Sequence, residues 1–113
     1  DTIEWHTYQA GTARSSLEKK KVFLHFYADW CAYCVEMERT TFQNPAVIAT
    51  LNRTFIPIRV NSDREKEIAA LFRVKGLPDS WFLAENGEVI GHRPGYIAAE
   101  QLMGILNVVM GGK

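Results

Sequence analysis

Residues 22–28 read Val-Phe-Leu-His-Phe-Tyr-Ala and run directly into Asp29-Trp30-Cys31-Ala32-Tyr33-Cys34. The first seven are apolar on both alternating faces except at His25, the pattern of a central strand covered on both sides. The polar Asp29 ends the run, and a helix is expected to start near Ala32. Both cysteines of the chain thus lie at a strand-to-helix junction. A helix N-terminus presents unpaired N–H groups and the positive end of the macrodipole, so a thiol placed there is favoured as the thiolate, the form that attacks disulfides.

Outward from this junction, short apolar runs alternate with longer amphipathic segments, as when helices cross between strands of a largely parallel sheet. Ile3–Trp5 is expected as a short first strand and Ala13–Lys20 as a first helix entered through Gly11 and Thr12. After the helix at Ala32, Asn44-Pro45 supplies a cap followed by proline at the first helical position, predicting a break and restart. Phe55–Val60 (FIPIRV) is a further strand, expected to be short because Pro57 removes a ladder donor. Ser62-Asp63-Arg64-Glu65 has the form of a capping box ahead of a helix in which Ile68, Ala69, Leu71 and Phe72 form one apolar side and which ends near Val74–Gly76. Ser80–Ala84 and Glu88–Gly91, joined through Glu85-Asn86-Gly87, carry the Asn-Gly signal of an antiparallel hairpin. Leu102, Ile105, Leu106 and Val109 give a last helix that buries one stripe and ends at Gly111-Gly112. The expected order is β-α-β-α-β-α-β-β-α.

Composition narrows the function classes. The chain has 113 residues, 47% of them hydrophobic and 23% charged, which suits one compact domain spanning 1–113. A domain of this size buries about two thirds of its unfolded surface, so the cysteines are not needed as staples. Thirteen basic residues balance thirteen acidic ones, leaving no field to attract nucleic acid or anionic lipid. No stretch approaches the roughly 20 apolar residues of a membrane helix, so no membrane insertion is expected. The chain begins at Asp1 without an initiator Met or a leader, the expectation for a processed chain or an excised fragment.

Cys34 follows Cys31 by three residues and shares its side of the first helical turn, close enough to displace a mixed disulfide formed at Cys31. The pair is therefore suited to cycle between dithiol and disulfide. Other readings of a Cys-x-x-Cys fit less well. Two thiolates cannot complete a four-ligand zinc shell, and His6, His25 and His92 show no ligand spacing, so no metal site is expected. A disulfide closing so small a loop restricts the unfolded chain little. Inert, buried thiols conflict with flanking Trp30, Tyr33 and Asp29, which mark a partly exposed junction.

The stretch Tyr27-Ala28-Asp29-Trp30-Cys31-Ala32-Tyr33-Cys34, Gly76-Leu77-Pro78 and the element order together resemble the thioredoxin superfamily over almost the whole chain. Val35-Glu36-Met37-Glu38 and Thr41-Phe42 make it most similar to the periplasmic C-terminal domain of DsbD-type thiol–disulfide transporters and its free-standing relatives. The resemblance implies the thioredoxin fold, an α/β architecture with a mixed central sheet, an antiparallel C-terminal hairpin and helices on both faces. It implies Cys31 as nucleophile and Cys34 as resolving thiol. It also implies a cis Pro78 beside the cysteines, leaving the backbone before it free to pair with an extended substrate segment; a plain turn is the alternative.

Two positions depart from the family pattern. Asp79 replaces the usual small hydroxyl residue after this proline; its carboxylate either raises thiolate pKa values by like-charge repulsion or sits in solvent. His25 stands where the family carries a buried Asp beneath the second cysteine. It either accepts that cysteine's proton near neutral pH or is a hydrogen-bonded core histidine held neutral by burial. Glu38, four residues after Cys34 and seven after Cys31, shares their side of a continuous helix. It matches a glutamate that tunes cysteine acidity in DsbD-type domains, with a solvated carboxylate as the alternative. Arg59 matches a family lysine, though with His25 in place of the acid a surface or structural role fits better. Trp30, Tyr33 and Leu77 surround the nucleophile with apolar area where substrate would dock; Trp30 is otherwise a packing residue.

The expectation is a protein thiol–disulfide oxidoreductase without a bound cofactor, acting extracytoplasmically as a reductant and monomeric. Protein disulfides are its expected substrates, and the resemblance suggests a membrane thiol–disulfide transporter as electron donor. A disulfide oxidase or isomerase of the same fold, or a non-catalytic binding module, are the alternatives.

Overall fold

Strand β1 (Lys21–Tyr27) carries the apolar run and lies inside the sheet, its five central residues buried. It pairs in parallel with β2 (Phe55–Asn61) and antiparallel with β3 (Asp79–Leu83), and β4 (Val89–Pro94) closes the order β2-β1-β3-β4. These relations come from a computed structural model that describes residues 1–112; Lys113, the end of the expected 1–113 domain, lies outside the described residues. Helices α1 (Tyr8–Glu18), α2 (Ala32–Arg39), α3 (Pro45–Thr54), α4 (Lys66–Leu71) and α5 (Ala99–Val109) flank the sheet.

Strand alternation divides the core in two. Phe23 packs with Phe42, Leu51, Leu102 and Leu106 on the face covered by α3 and α5. Leu24 and Phe26 pack with Ile56, Ile58 and Leu83 on the face met by Tyr8 of α1 and Ile68 of α4. The mixed sheet, its hairpin and helices on both faces are those the resemblance implies, but the largely parallel sheet expected from periodicity is corrected: among the described strand pairs β1–β2 is parallel and the other two are antiparallel. In the hairpin, the Ala84 N–H donates to the Glu88 carbonyl (2.8 Å), and Gly87 takes the positive φ of 90° that favours glycine.

Local readings fail where tertiary contacts decide. Ile3–Trp5 is not a strand; a single parallel bridge joins His6 to Ile58 instead. Helix α1 begins at Tyr8, capped by the Thr7 hydroxyl on the Ala10 N–H (3.2 Å), rather than at Gly11-Thr12. Gly11 lies inside the helix because a Cβ there would collide with the Ile58 side chain. Pro57 sits within a seven-residue β2, so that strand is not short. The Pro57 carbonyl points outward and accepts the His6 N–H (2.9 Å), so the missing proline donor also faces the open edge and costs β1 nothing.

The Asn44 cap and Pro45 restart form as expected, after a 3₁₀ turn at Thr41–Gln43. The Ser62–Glu65 capping box does not form. The Asn61 side chain takes the Asp63 and Arg64 N–H groups (3.0 and 3.3 Å), and α4 starts later, at Lys66. It also ends earlier than Val74–Gly76, at Leu71, where the Val74 N–H returns to the Ala69 carbonyl and Arg73 takes a φ of 53°. Two residues on from Gly76, the Leu77–Pro78 bond is cis, and the Pro78 carbonyl accepts the Gly95 N–H at 2.7 Å.

Candidate active site

Cys31 is the N-cap of α2, and its Sγ accepts the Cys34 backbone N–H at 3.1 Å. The helix thus aims one of its unpaired donors at this sulfur. Both thiols are free and each is only 5% exposed, more covered than the partly exposed junction predicted from sequence. Ala28 and Leu77 supply that cover. The flanking aromatics do reach solvent, Trp30 at 72% and Tyr33 at 67% exposure. Burial, and then the hydrogen bond with Cys31, push the Cys34 thiol up to about 12. The two sulfurs are therefore unequal: one receives a helix-terminal N–H, the other holds its proton.

A cleft of about 340 Å³ opens beside Cys34 and is also lined by His25, Glu38, Arg59 and Trp5. His25 is buried, and its Nδ1 lies 3.0 Å from Ser80 Oγ. Its ring stacks on Phe23 (6.0 Å, 12°) and meets Phe42 edge-on at 4.8 Å. Burial, followed by the Arg59 charge, lowers its pKa to about 3. Its burial, the Ser80 contact and the packing against Phe23 and Phe42 fit the hydrogen-bonded core histidine, and burial works against its taking up a proton.

Glu38 and Cys34 lie one turn apart on α2 and line the same cleft. Glu38 Oε1 accepts from Arg59 Nη1 at 2.7 Å, with both side chains partly exposed. Arg59 thus faces the cleft, not the open surface, and its guanidinium carbon lies 5.5 Å from the centroids of both Trp5 and Tyr27. Asp79 fits neither sequence alternative. It is buried beside Phe26 in the β1–β3 register, on the opposite sheet face from His25, and accepts from His92 Nδ1 at 3.0 Å. His92 in turn stacks on Trp81 at 4.1 Å.

The structure therefore gathers Cys34, His25 and Glu38 around one cleft, and sets Trp30, Tyr33 and Leu77 about the cysteines. Sequence reading missed Trp5, Tyr27, Asp63 and His92. Asp63 Oδ2 accepts the Trp30 indole N–H at 2.8 Å, and Arg64 lies 3.5 Å from Asp29. The contacts of Trp5, Tyr27 and Asp63 join residues more than 30 apart in the chain and leave no periodic trace, whereas His92 meets Asp79 across the β3–β4 hairpin. Among the described residues there is no group of three or more metal-ligating side chains, and no helix is long and apolar enough to cross a membrane.

Comparison with known proteins bears on this geometry. A family model described as a thioredoxin-like domain matches residues 8–109. The thiol:disulfide interchange protein DsbD of Haemophilus ducreyi is 38% identical over 98 residues, covering 82% of this chain and 17% of that protein. Its namesake from Pectobacterium atrosepticum is 42% identical over 85 residues, 71% of this chain and 15% of the other. The chain thus spans under a fifth of the length of these relatives. Among solved structures, a DsbH oxidoreductase superposes with a TM-score of 0.87 at 16% identity, covering 100% of this chain and 88% of its own. A thioredoxin from Thermus thermophilus gives 0.87 at 24% identity, with 97% and 88% covered. At these identities the two structures establish the fold.

Proposed function

Since the chain belongs to the thioredoxin-like domain family, we propose that it is a thiol–disulfide oxidoreductase that reduces protein disulfides through Cys31 and Cys34. The observation that carries this reading is the inequality of the two sulfurs: Cys31 caps a helix and accepts the Cys34 N–H, while burial keeps the Cys34 proton in place.

The reaction has two exchanges. Cys31 Sγ, as thiolate, attacks one sulfur of a substrate disulfide; the S–S bond breaks and the other substrate sulfur leaves as a thiolate. Cys34 then gives its proton to Glu38, and its freed electron pair forms the Cys31–Cys34 bond, expelling the second substrate thiolate. The substrate gains two electrons and the protein is left oxidised. Glu38 is assigned as the proton acceptor because it lines the cleft one turn from Cys34 and is partly exposed, so a proton can pass on to solvent, whereas His25 lines the same cleft but is buried, with Nδ1 at Ser80 Oγ. Trp30, Tyr33 and Leu77 offer apolar area to the substrate, and the backbone before Pro78, where Leu77 packs against the cysteines, is the edge proposed to pair with it. Asp79, buried and paired with His92, orders the start of β3 without touching substrate.

The relatives named thiol:disulfide interchange protein support thiol–disulfide exchange; an extracytoplasmic site of action, and a membrane thiol–disulfide transporter as the dithiol donor that restores Cys31 and Cys34, are part of the same proposal. The direction is tested by equilibrating the protein with glutathione redox buffers. The expected potential lies toward the reducing end of the range from about −270 to about −120 mV. A value near −120 mV would reverse the direction and make the protein an oxidase.

A further inference from the structure

We infer that Trp5 is a positioning residue which, with Tyr27, fixes the Arg59 guanidinium and through it the Glu38 carboxylate beside Cys34. This rests on Glu38 being the proton acceptor, and adds to it a part played by the N-terminal segment.

The need for positioning follows from exposure. Glu38 and Arg59 side chains are 45% and 39% exposed, and such a pair, left alone, gains little and loses the freedom of two long side chains. Here the cation cannot wander. Its Cζ sits 5.5 Å from both the Trp5 and the Tyr27 ring centroids, inside the range at which an aromatic face attracts a guanidinium.

Trp5 is itself held. Its ring meets Phe42 edge-on at 5.1 Å and lies 6.2 Å from Phe23, both in the core. The next residue, His6, gives its N–H to the Pro57 carbonyl (2.9 Å) and takes the Arg59 N–H on its own carbonyl (3.3 Å). The same N-terminal segment therefore grips Arg59 at its backbone and at its side chain. The other charged groups lining the cleft have partners of their own, Asp29 with Arg64 and Arg39 with Glu36. Arg59 and Glu38 face one another. With Oε1 engaged by Arg59, Oε2 is the oxygen left to take the Cys34 proton as the Cys34 sulfur bonds to Cys31 and the substrate sulfur departs.

The test separates the two exchanges with a small aromatic disulfide that releases one coloured thiolate at each step, followed by stopped flow across a pH series. The first phase reports Cys31 and the second reports Cys34. Trp5→Leu and Arg59→Gln should each leave the first phase unchanged, which also shows an intact site. Each should slow the second phase by about tenfold at neutral pH and steepen its rise with pH toward that of Glu38→Gln. Trp5→Phe keeps an aromatic face over the cation and should restore most of the rate. A second phase unchanged in Trp5→Leu but slowed in Arg59→Gln would overturn the role of Trp5 and leave Glu38 standing. Trp5→Phe as slow as Trp5→Leu would overturn the cation–aromatic mechanism. An unchanged second phase in Glu38→Gln would instead remove the proton acceptor, and the inference with it.

Discussion

In a Cys31→Ser variant, Cys34 loses its neighbouring sulfur but keeps the burial that contributes most to its raised pKa of about 12. The variant loses the Cys31 hydrogen bond and charge that also raise the value, so its Cys34 lies below 12 but, still buried, above the roughly 8.5 of a free cysteine, of which about 3 in 100 are thiolate at pH 7. The assay is a timed pulse of iodoacetamide on the reduced variant, quenched with acid and read by mass spectrometry. Cys34 should label at least about tenfold more slowly than a small-molecule thiol at pH 7, one pKa unit of burial being worth a factor of ten in thiolate. Its rate should climb about tenfold per pH unit from 7 to 9 with no plateau, since the thiolate fraction grows in proportion to hydroxide well below the pKa. Slow labelling from steric cover alone would lack that unbroken slope. A plateau below pH 9 would refute the assignment of Cys34 as the proton-holding thiol, and with it the inequality on which the two-step mechanism depends.

Other expectations concern folding. His25 has a folded pKa near 3 against an unfolded value of about 6.5, so the unfolded chain binds the extra proton as pH falls below 6.5 and stability drops until about pH 3. Urea unfolding at pH 7 and pH 4 should show wild type losing roughly 3 kcal/mol more than His25→Asn; equal losses would mean the imidazole is not held neutral. Gly11→Ala should cost about 1–3 kcal/mol, because its methyl meets the Ile58 side chain where α1 packs on β2; a stabilised variant in urea unfolding would contradict that close approach. Asn44→Ala removes the acceptor for the Ala46 and Val47 N–H groups and should lower the urea midpoint by an amount worth about 1 kcal/mol. No change would mean water replaces the cap.

What could be read from the chain, and what could not, divides along contact range. The β1 run, the Asn44-Pro45 restart, the Asn86-Gly87 hairpin and the α5 stripe are local patterns, each needing a dozen neighbouring residues at most, and each forms. Gly11 and Pro57 were misread because their local meaning, as breakers, is overruled by what lies opposite: Ile58 for the glycine, an open sheet edge for the proline. Ser62–Glu65 matched a capping box, but Asn61 takes the donors instead: its side chain accepts the Asp63 and Arg64 N–H groups and its carbonyl the Glu65 N–H that Ser62 would have capped. At the site, the two cysteines and Glu38 followed from spacing within one helix. The surroundings did not. The Arg59 cage and the Trp30–Asp63 bond join distant segments through folding alone, and the Asp79–His92 pair depends on the register of the β3–β4 hairpin.

The division of labour between the two sulfurs can be put to one measurement. Reduced Cys34→Ser and reduced Cys31→Ser proteins are mixed with an excess of a disulfide-containing protein substrate, acid-quenched and resolved by non-reducing electrophoresis with mass spectrometry. Cys34→Ser should accumulate a mixed disulfide on Cys31 to near one equivalent, because nothing remains to expel the substrate, while Cys31→Ser should form almost none. Equal trapping on both variants, or trapping on Cys34 alone, would contradict the account.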